Sequence, residues 1–216
     1  MKTTIASSIV ATAVLIGAVG CSDPSDSVPK SGASAPKPAA SASAGGADYV
    51  IRAGSKIGFV GSKVTGSHTG GFTNFAGTFK VQDGKITGSP EIRINMNSTW
   101  SDTSRLTGHL KSPDFFDVAK FPLSTFTVTA LEPEGALTKV TGNFLLHGVT
   151  KSITFPATVA VAADSVTVKA EFAVNRKDFG IVYPGKPDDL IRDNVVIRLD
   201  LKATPGAARP EDLVVN

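Results

Sequence analysis

The sequence predicts an all-β protein, an antiparallel β-barrel of about eight strands with one short helix or ordered loop. Apolar and polar residues alternate with a period of two in five stretches between residues 47 and 204, and this period places the apolar side chains on one face of a strand. Turn-forming pairs such as Asp83-Gly84 and His147-Gly148 separate the stretches at hairpin spacing. Strands with one apolar face are typical of antiparallel sheets, and eight of them can close around one ligand.

Each alternating stretch defines the inward face of one strand. The inward positions are Ile92, Ile94 and Met96; Phe126, Val128 and Ala130; Ile153, Phe155, Ala157, Val159 and Val161; Val166, Val168, Ala170, Phe172 and Val174; and Val195, Ile197, Leu199 and Leu201. Further strands are expected near Asp48 and Lys56, which brings the number to about eight.

Two stretches of the folded region do not alternate. Residues 101–112 are predicted to form the short helix or ordered loop, because Leu106 and Leu110 lie four apart and Asp102 is a candidate N-cap. The glycine-rich residues 66–71, which include His68, are predicted to form a flexible loop beside an opening.

The N-terminus has the features of a targeting segment. Residues 1–20 carry one charge and a diluted apolar run that ends in small residues directly before Cys21. The run is shorter than a bilayer requires, which favours a cleaved signal peptide. Cys at this point resembles a bacterial lipoprotein signal, although Ala18 stands where Leu is commoner. The resemblance implies acyl chains on Cys21, and Ser22 after it favours an outer-membrane position facing the periplasm.

Residues 21–46 are predicted to form a disordered tether between Cys21 and the barrel. From Ser22 to Gly46 there are 7 Ser, 6 Ala, 4 Pro and 3 Gly, with no Ile, Leu or aromatic residue. Such a composition buries too little apolar surface to offset the entropy of ordering the chain. Residues 47–204 form the barrel in this division, and residues 205–216, which include two prolines, are predicted to be a loose tail.

Composition argues against several classes of function. A single Cys excludes an intramolecular disulfide and a zinc site built from several thiolates. The formal net charge of +3 carries no Lys/Arg cluster of the kind that a nucleic-acid partner requires. No G-x-S-x-G, H-E-x-x-H, P-loop or dinucleotide motif occurs, and Asp188 and Asp189 are interpreted as a solvated loop pair. We therefore expect no enzymatic activity, no cofactor and no metal.

Phenylalanine dominates the predicted interior. The chain has 12 Phe, 2 Tyr and 1 Trp. Eight side chains on or near inward positions are candidates for the wall of an apolar lumen: Phe59, Phe75, Phe79, Met96, Phe126, Phe144, Phe155 and Phe172. Composition and periodicity leave two interpretations open, a packed barrel core and an apolar pocket with few polar groups.

Several motifs occur together in the order and spacing of one family. They are residues 109–117 (HLKSPDFFD) followed by Phe121-Pro122 and Phe126; Gly71-Phe72 with Phe75 and Gly77; Gly142 followed by residues 146–151 (LHGVTK); and residues 176–181 (RKDFGI). In these motifs the sequence resembles the YceI-like family. The resemblance covers residues 47–203 and implies a lipocalin-like barrel, usually secreted, that encloses a polyisoprenoid chain.

The resemblance implies a membrane-anchored protein that holds a long isoprenoid lipid or isoprenoid quinone in its lumen, for storage or transport in the cell envelope. Candidates for contacting the ligand's polar end are His109, Lys111, Arg176 and Asp178, although Arg176 and Asp178 are also predicted to form a structural ion pair. The alternative is an interaction or structural domain with a packed lumen and no lipid. The sequence leaves the oligomeric state open.

Overall fold

A computed structural model describes residues 23–39 and 45–207. The predicted signal peptide, Cys21 and the last nine residues lie outside the described ranges. No helix within these ranges has both the length and the apolar character needed to cross a membrane.

Most of the regular elements of the described chain are strands. They are β1 (Lys30–Ser31), β2 (Ala47–Ile51), β3 (Lys56–Lys63), β4 (Gly66–Phe72), β5 (Phe75–Gln82), β6 (Lys85–Asn95), β7 (Thr99–Ser101), β8 (Leu123–Glu134), β9 (Leu137–Leu146), β10 (Val149–Ala162), β11 (Ser165–Asn175), β12 (Gly185–Lys186), β13 (Asp189–Leu190) and β14 (Asn194–Pro205). One α-helix, α1 (Ser104–Lys111), and 3-10 turns at Pro24–Ser27, Met96–Ser98 and Arg176–Phe179 complete the described elements.

Eight strands close into an antiparallel barrel, as the alternation predicts. Going around the wall, the order is β11, β10, β9, β8, β6, β5, β2 and β14, and β14 returns to β11. The long β14 also pairs with β3, which continues through β4 to β7 as a side branch of the same sheet. The predicted fold class and strand number are confirmed.

The two ends of the barrel are built differently. At the hairpin end, tight turns join β5 to β6, β8 to β9, and β10 to β11. At the capped end, α1 and residues 176–193 lie over the barrel. Most of the buried apolar residues form one core inside the barrel, and a second cluster around Tyr49, Phe79 and Val166 fills the hairpin end.

The flexible loop predicted for residues 66–71 is wrong, because these residues belong to β4, which pairs with β3. Glycine is required here by close packing rather than by flexibility. A Cβ on Gly70 would lie 2.3 Å from Cζ of Phe59, and a Cβ on Gly71 would lie 2.6 Å from the Ile57 carbonyl oxygen.

The short helix predicted for residues 101–112 is confirmed as α1, but its predicted cap is wrong. Thr103 is the N-cap, and its hydroxyl accepts a hydrogen bond from the Leu106 amide at 3.3 Å. Asp102 faces β4 instead and accepts a hydrogen bond from the Thr69 amide at 3.0 Å. Both residue types cap helices well, so position relative to β4 decided between them.

The disordered tether predicted for residues 21–46 is wrong for residues 23–39, which run along the outside of the barrel. Asp23 forms an ion pair with Arg192 at 3.6 Å, β1 lies parallel to β11, and Lys37 donates its amide to Asn143 at 2.9 Å. Hydrogen bonds to strand edges order this segment, although its composition supplies little apolar surface. Residues 205 and 206 do not belong to a loose tail as predicted, because Pro205 ends β14 and the Gly206 amide donates to the Asp48 carbonyl oxygen at 2.9 Å.

Candidate functional site

The interior of the barrel contains three apolar cavities that follow one another along its axis. The cavity under the capped end measures about 120 Å³, the middle one about 60 Å³, and the one toward the hairpin end about 40 Å³. Neighbouring cavities share walls: Phe72, Ile94, Phe144 and Ile197 lie between the first two, and Ile92, Phe126, Phe155 and Leu199 lie between the second and third. The lumen is therefore a narrow apolar channel interrupted by side chains.

The eight predicted lumen residues all belong to the barrel interior. Phe59, Met96 and Phe144 line the cavity under the capped end, and Phe79 lines the one toward the hairpin end. Phe126 and Phe155 border both inner cavities, and Phe172 lines the middle one. Phe75 is partly buried and packs against the core without bordering any of these three cavities. Whether these side chains touch a ligand remains a prediction.

Aromatic contacts hold the rings that divide the channel. Phe126 lies with its ring centroid 5.6 Å from that of Phe155, and Phe144 lies 5.1 Å from Phe179. Phe155 and Phe172 stack almost parallel, with centroids 3.9 Å apart. Gly142 makes room for this arrangement, because a Cβ there would lie 2.4 Å from Cζ of Phe126. The channel width is thus set by a few ring positions.

Residues outside the strands complete the wall at the capped end. Leu110 of α1, Phe115, Phe116 and Ile191 line the largest cavity. The helical spacing of Leu106 and Leu110 pointed to Leu110, but the alternation of period two could not find the residues in loops. The only signal for the two phenylalanines was their place in the 109–117 motif.

His109 lies beside these capping residues. Its ring meets Phe115 edge-on with centroids 4.9 Å apart and Tyr183 at 5.1 Å, and its Nε2 lies 2.8 Å from the Asp114 carboxylate. The side chain joins α1 to the loop that carries Tyr183. The half-buried histidine therefore connects two parts of the capped end.

Arg176 is the charged residue that reaches the lumen. It is 4% exposed and borders both the largest cavity and an outer cleft. Its guanidinium donates to the carbonyl oxygens of Ile181 at 2.8 Å and Arg192 at 3.2 Å, and it contacts the Asp193 carboxylate at 3.4 Å. Burial lowers the pKa of Arg176 from its ordinary value, and the charge of Asp193 opposes that shift. The group fastens residues 181–193 to the end of β11.

The ion pair predicted between Arg176 and Asp178 is wrong, since Asp193 is the acidic partner of Arg176. Asp178 lies exposed in the same 3-10 turn. Lys111 is half-buried at the last position of α1. The structure places all four candidates for the polar end of a ligand at the capped end, but in different surroundings.

The three histidines have separate partners. His68 Nδ1 lies 2.9 Å from Asp102, His109 pairs with Asp114, and His147 Nδ1 lies 3.2 Å from the Phe179 carbonyl oxygen. His147 has φ of 51°, which confirms its place in the β9–β10 turn. Within residues 23–39 and 45–207, no three His, Cys, Asp or Glu side chains gather as a metal site would require.

The two carboxylates after Pro187, Asp188 and Asp189, lie in different surroundings. Asp189 contacts Lys63 Nζ and accepts hydrogen bonds from the Thr65 amide at 3.1 Å and hydroxyl at 2.9 Å. The hydrogen bond from Lys63 is the main reason that the pKa of Asp189 lies below its ordinary value. Asp188 is exposed. Asp189 therefore ties the capped end to the β3–β4 turn.

Comparison with solved structures agrees with the fold. Burkholderia cenocepacia BcnA superposes with a TM-score of 0.63 at 26% identity, over 69% of this chain and 96% of its own. A polyisoprenoid binding domain from Saccharophagus degradans superposes with a TM-score of 0.62 at 20% identity, over 75% of this chain and all of its own.

Comparison of sequences gives the relationship directly. A UPF0312 protein of Pseudomonas fluorescens is 36% identical over 154 residues, 64% of this chain and 79% of that protein. Protein YceI of Salmonella arizonae is 34% identical over 153 residues, 64% of this chain and 78% of that protein. The sequence profile of the YceI-like domain matches residues 49–203, which span the barrel from β2 to β14. The chain belongs to the YceI-like family.

Proposed function

We propose that this protein binds one long isoprenoid lipid, or the isoprenoid tail of a quinone, along the axis of its barrel. The observation that carries the proposal is the series of three apolar cavities separated only by side chains. A long hydrocarbon chain with short methyl branches matches such a channel, whereas a compact ligand would need one large pocket. The relationship to the polyisoprenoid binding domain named above supports the same ligand class.

Burial of the hydrocarbon supplies the binding free energy. Each buried CH₂ contributes about 0.8 kcal/mol, so a five-carbon prenyl unit contributes about 4 kcal/mol before costs are subtracted. Loss of ligand freedom and ordering of its bonds remove several kcal/mol of this gain. Several prenyl units are therefore sufficient for tight binding without a strong polar contact. This suits the lumen, since Arg176 is the one charged side chain among the described residues that line the three cavities.

Ligand entry requires ring movement. The largest of the three interior cavities, at about 120 Å³, is too small for a long isoprenoid, so these cavities have to join by rotation of rings such as Phe144 and Phe126. An empty apolar cavity of this size costs on the order of 3 kcal/mol of stability, at about 24 cal/mol per Å³. A ligand that fills the joined cavities recovers that cost.

The alternative function is an interaction or structural domain whose lumen is simply a packed core. The small size and separation of the cavities favour it. In that case the exposed loops of the capped end would carry the function, and no lipid would occupy the barrel.

Native mass spectrometry of the full chain, followed by organic extraction, separates the two functions. The binding function predicts a co-purifying species with an isoprenoid fragmentation pattern, or uptake of added polyprenols and quinones. Phe144→Trp, which adds bulk between the two larger cavities, is expected to reduce uptake at least tenfold. Leu137→Trp at an exposed position of β9 is the matched control. An empty protein that refuses added isoprenoids would favour the packed core.

Attachment to the membrane is the second part of the proposal. Cys21 would carry acyl chains, and two or more chains give stable anchoring where one gives marginal binding. The expected position is the outer membrane, facing the periplasm, with no catalytic role for the domain. Fractionation of cells tests this part separately: wild type is expected in the membrane fraction and Cys21→Ala in the soluble one. A Cys21→Ala protein that stays with membranes would refute anchoring by acylation.

A further inference from the structure

The barrel wall contains a slit between β10 and β11. The two strands pair directly only from Thr158–Lys169 to Ala162–Ser165, near the hairpin end. Toward the capped end they separate, and residues 29–34 of the N-terminal segment occupy the gap between them. We call this gap the β10–β11 slit and residues 29–34 its cover.

The cover bonds to both edges of the slit. On the β11 side, the Ala173 amide donates to the Pro29 carbonyl at 2.8 Å. On the β10 side, Ser34 and Ser152 exchange two backbone hydrogen bonds, at 2.9 and 3.0 Å. Because these groups of β10 and β11 would otherwise pair with each other along a continuous ladder, the cover substitutes for missing strand pairing.

Ser31 completes the contact with its side chain. The hydroxyl donates to the Thr154 carbonyl at 2.8 Å and accepts from the Thr154 amide at 3.0 Å. Ser31 and Ser25 are the buried residues of the segment from 23 to 39. Behind them, Ala33 packs against the barrel core.

The slit opens directly onto the lumen. Phe155 on β10 and Phe172 on β11 lie just beyond the last direct strand pair and stack across the slit. Both rings line the middle cavity, together with Ile153 of β10. Removal of the cover would leave only side chains of β10 and β11, among them these two rings and Ile153, between solvent and the apolar channel at this point.

The cover is held more weakly than the barrel strands that it joins. Apart from Lys30 its side chains are small, most of its residues are exposed, and a Cβ on Gly32 would meet no atom within 4 Å. Local stability follows buried apolar contact, and segments with little of it open at a lower free-energy cost than the whole fold. The hydrogen bonds of the cover can be exchanged for bonds to water at small net cost.

From this geometry we infer that the β10–β11 slit is the lateral entry of the isoprenoid chain, and that residues 29–34 open and close it. The inference rests on the proposed binding function. It adds the path by which the ligand enters the lumen and the segment that opens and closes this path. A hydrocarbon chain enters sideways past Phe155 and Phe172 when the cover leaves. Return of the cover restores the hydrogen bonds of Ser152, Thr154 and Ala173 and encloses the chain.

A disulfide across the β10 edge tests the inference. Ser34→Cys with Ser152→Cys suits the bond, because residues of a hydrogen-bonded antiparallel pair have Cα atoms about 5.5 Å apart. The full chain also carries Cys21→Ala, so that the two introduced thiols are the only ones. We expect oxidation to slow the uptake of tritiated geranylgeraniol, delivered from cyclodextrin, at least tenfold. Reduction is expected to restore the rate, and the amount bound at equilibrium is expected to change less than twofold.

The control disulfide lies where β10 and β11 already pair, as Ala160→Cys with Thr167→Cys in the same background. Its oxidation is expected to leave the uptake rate unchanged. Equal rates for the oxidised and reduced Ser34/Ser152 variant, with normal binding, would overturn the gate and leave the binding function in place. If the reduced variant and the unmodified chain both bind no isoprenoid, the binding function fails and the gate fails with it.

A second variant weakens the cover instead of locking it. Ser31→Ala removes both side-chain hydrogen bonds to Thr154 and is expected to raise the uptake rate about fivefold. Ser27→Ala is the matched control, since that exposed hydroxyl bonds only to the Pro24 carbonyl beside it. Thermal unfolding by circular dichroism reports whether the barrel is intact in both. Equal uptake rates in these two variants would count against the cover as the gate.

Discussion

The two ends of the barrel are closed by different means. At the hairpin end, strand side chains such as Tyr49, Phe79 and Val166 meet in a compact cluster, and the Tyr49 hydroxyl donates to the Ala163 carbonyl at 2.8 Å. At the capped end, α1 and residues 176–193 cover the opening, and the largest cavity lies directly beneath them.

The difference shows what each kind of closure does. At the hairpin end the strands pair as a ladder up to their turns, so their inward side chains fill the interior and leave a cavity of only about 40 Å³. A helix and loops are joined to the barrel by individual contacts, such as those of Arg176 and Asp189, and they leave room behind them. We therefore expect a bound chain to have its apolar tip near the hairpin end and its polar group near the capped end.

The largest effect is expected from removing a large side chain at the hairpin end. Phe79→Ala deletes a ring that is 5% exposed and is expected to lower the free energy of unfolding by about 3–5 kcal/mol. Phe116→Ala, at the capped end, removes a partly buried ring beside Phe59 and Phe72 and should cost about half as much. Urea unfolding measures both, and equal losses would contradict the difference between the ends.

Arg176→Met tests the fastening of the capped end. The substitution keeps an apolar chain but leaves the carbonyl oxygens of Ile181 and Arg192 without their donor. Each unsatisfied buried acceptor costs about 1–3 kcal/mol, and we expect a total loss of about 2–4 kcal/mol in urea unfolding. Amide exchange should quicken in residues 181–193 and stay unchanged in the hairpin-end strands. A uniform increase in the amide exchange rate over the whole barrel would show that Arg176 supports the entire fold.

Tyr49→Phe tests the polar contact of the hairpin end alone. The ring stays in its cluster while the hydrogen bond to Ala163 is lost, so the expected loss is about 1 kcal/mol. Uptake of geranylgeraniol should not change, because the side chain borders none of the three cavities. A clear change in uptake would show that the hairpin end opens during binding.

The smallest effect is expected from Asp189 and depends on pH. Its pKa in the folded protein lies below the ordinary value of 3.8, chiefly because Lys63 donates a hydrogen bond to the carboxylate. A lowered folded pKa contributes stability that is present above pH 3.8 and is lost as the pH falls through the folded pKa. Asp189→Asn should therefore melt slightly lower than wild type at pH 6, and the difference should shrink below pH 3.8. Asp188→Asn, at an exposed neighbour, is the control and should match wild type at both pH values.

The inward faces were predictable because strand geometry is local. Ile153, Phe155 and Phe172 point inward by period alone, and the structure places all three in the wall of the middle cavity. The helix at α1 was predictable for the same reason, from Leu106 and Leu110 four positions apart. The closure of the capped end was not predictable, because Phe115 and Tyr183, whose ring centroids lie 5.4 Å apart, meet through chain reversals that no short period describes.

Hydrogen-bond partners were the least predictable feature. Arg176 and Asp178 are two residues apart and of opposite charge, yet the buried guanidinium bonds to Asp193 and to carbonyl oxygens of a later loop. In the same way, the composition of residues 23–39 predicts disorder. The prediction fails because composition carries no information about the strands that lie beside this segment. The edges of β10 and β11 supply the partners for Pro29, Ser31 and Ser34.

The sequence by itself determined the all-β class, the inward faces and the family motifs, since each depends on residues that are neighbours in the chain. The tertiary structure alone decided how the lumen divides into three cavities, which end is loosely covered, and that the N-terminal segment fills the β10–β11 slit. These features depend on which distant groups meet, because ring positions are set by packing and an unpaired strand edge takes whatever donor and acceptor lie beside it.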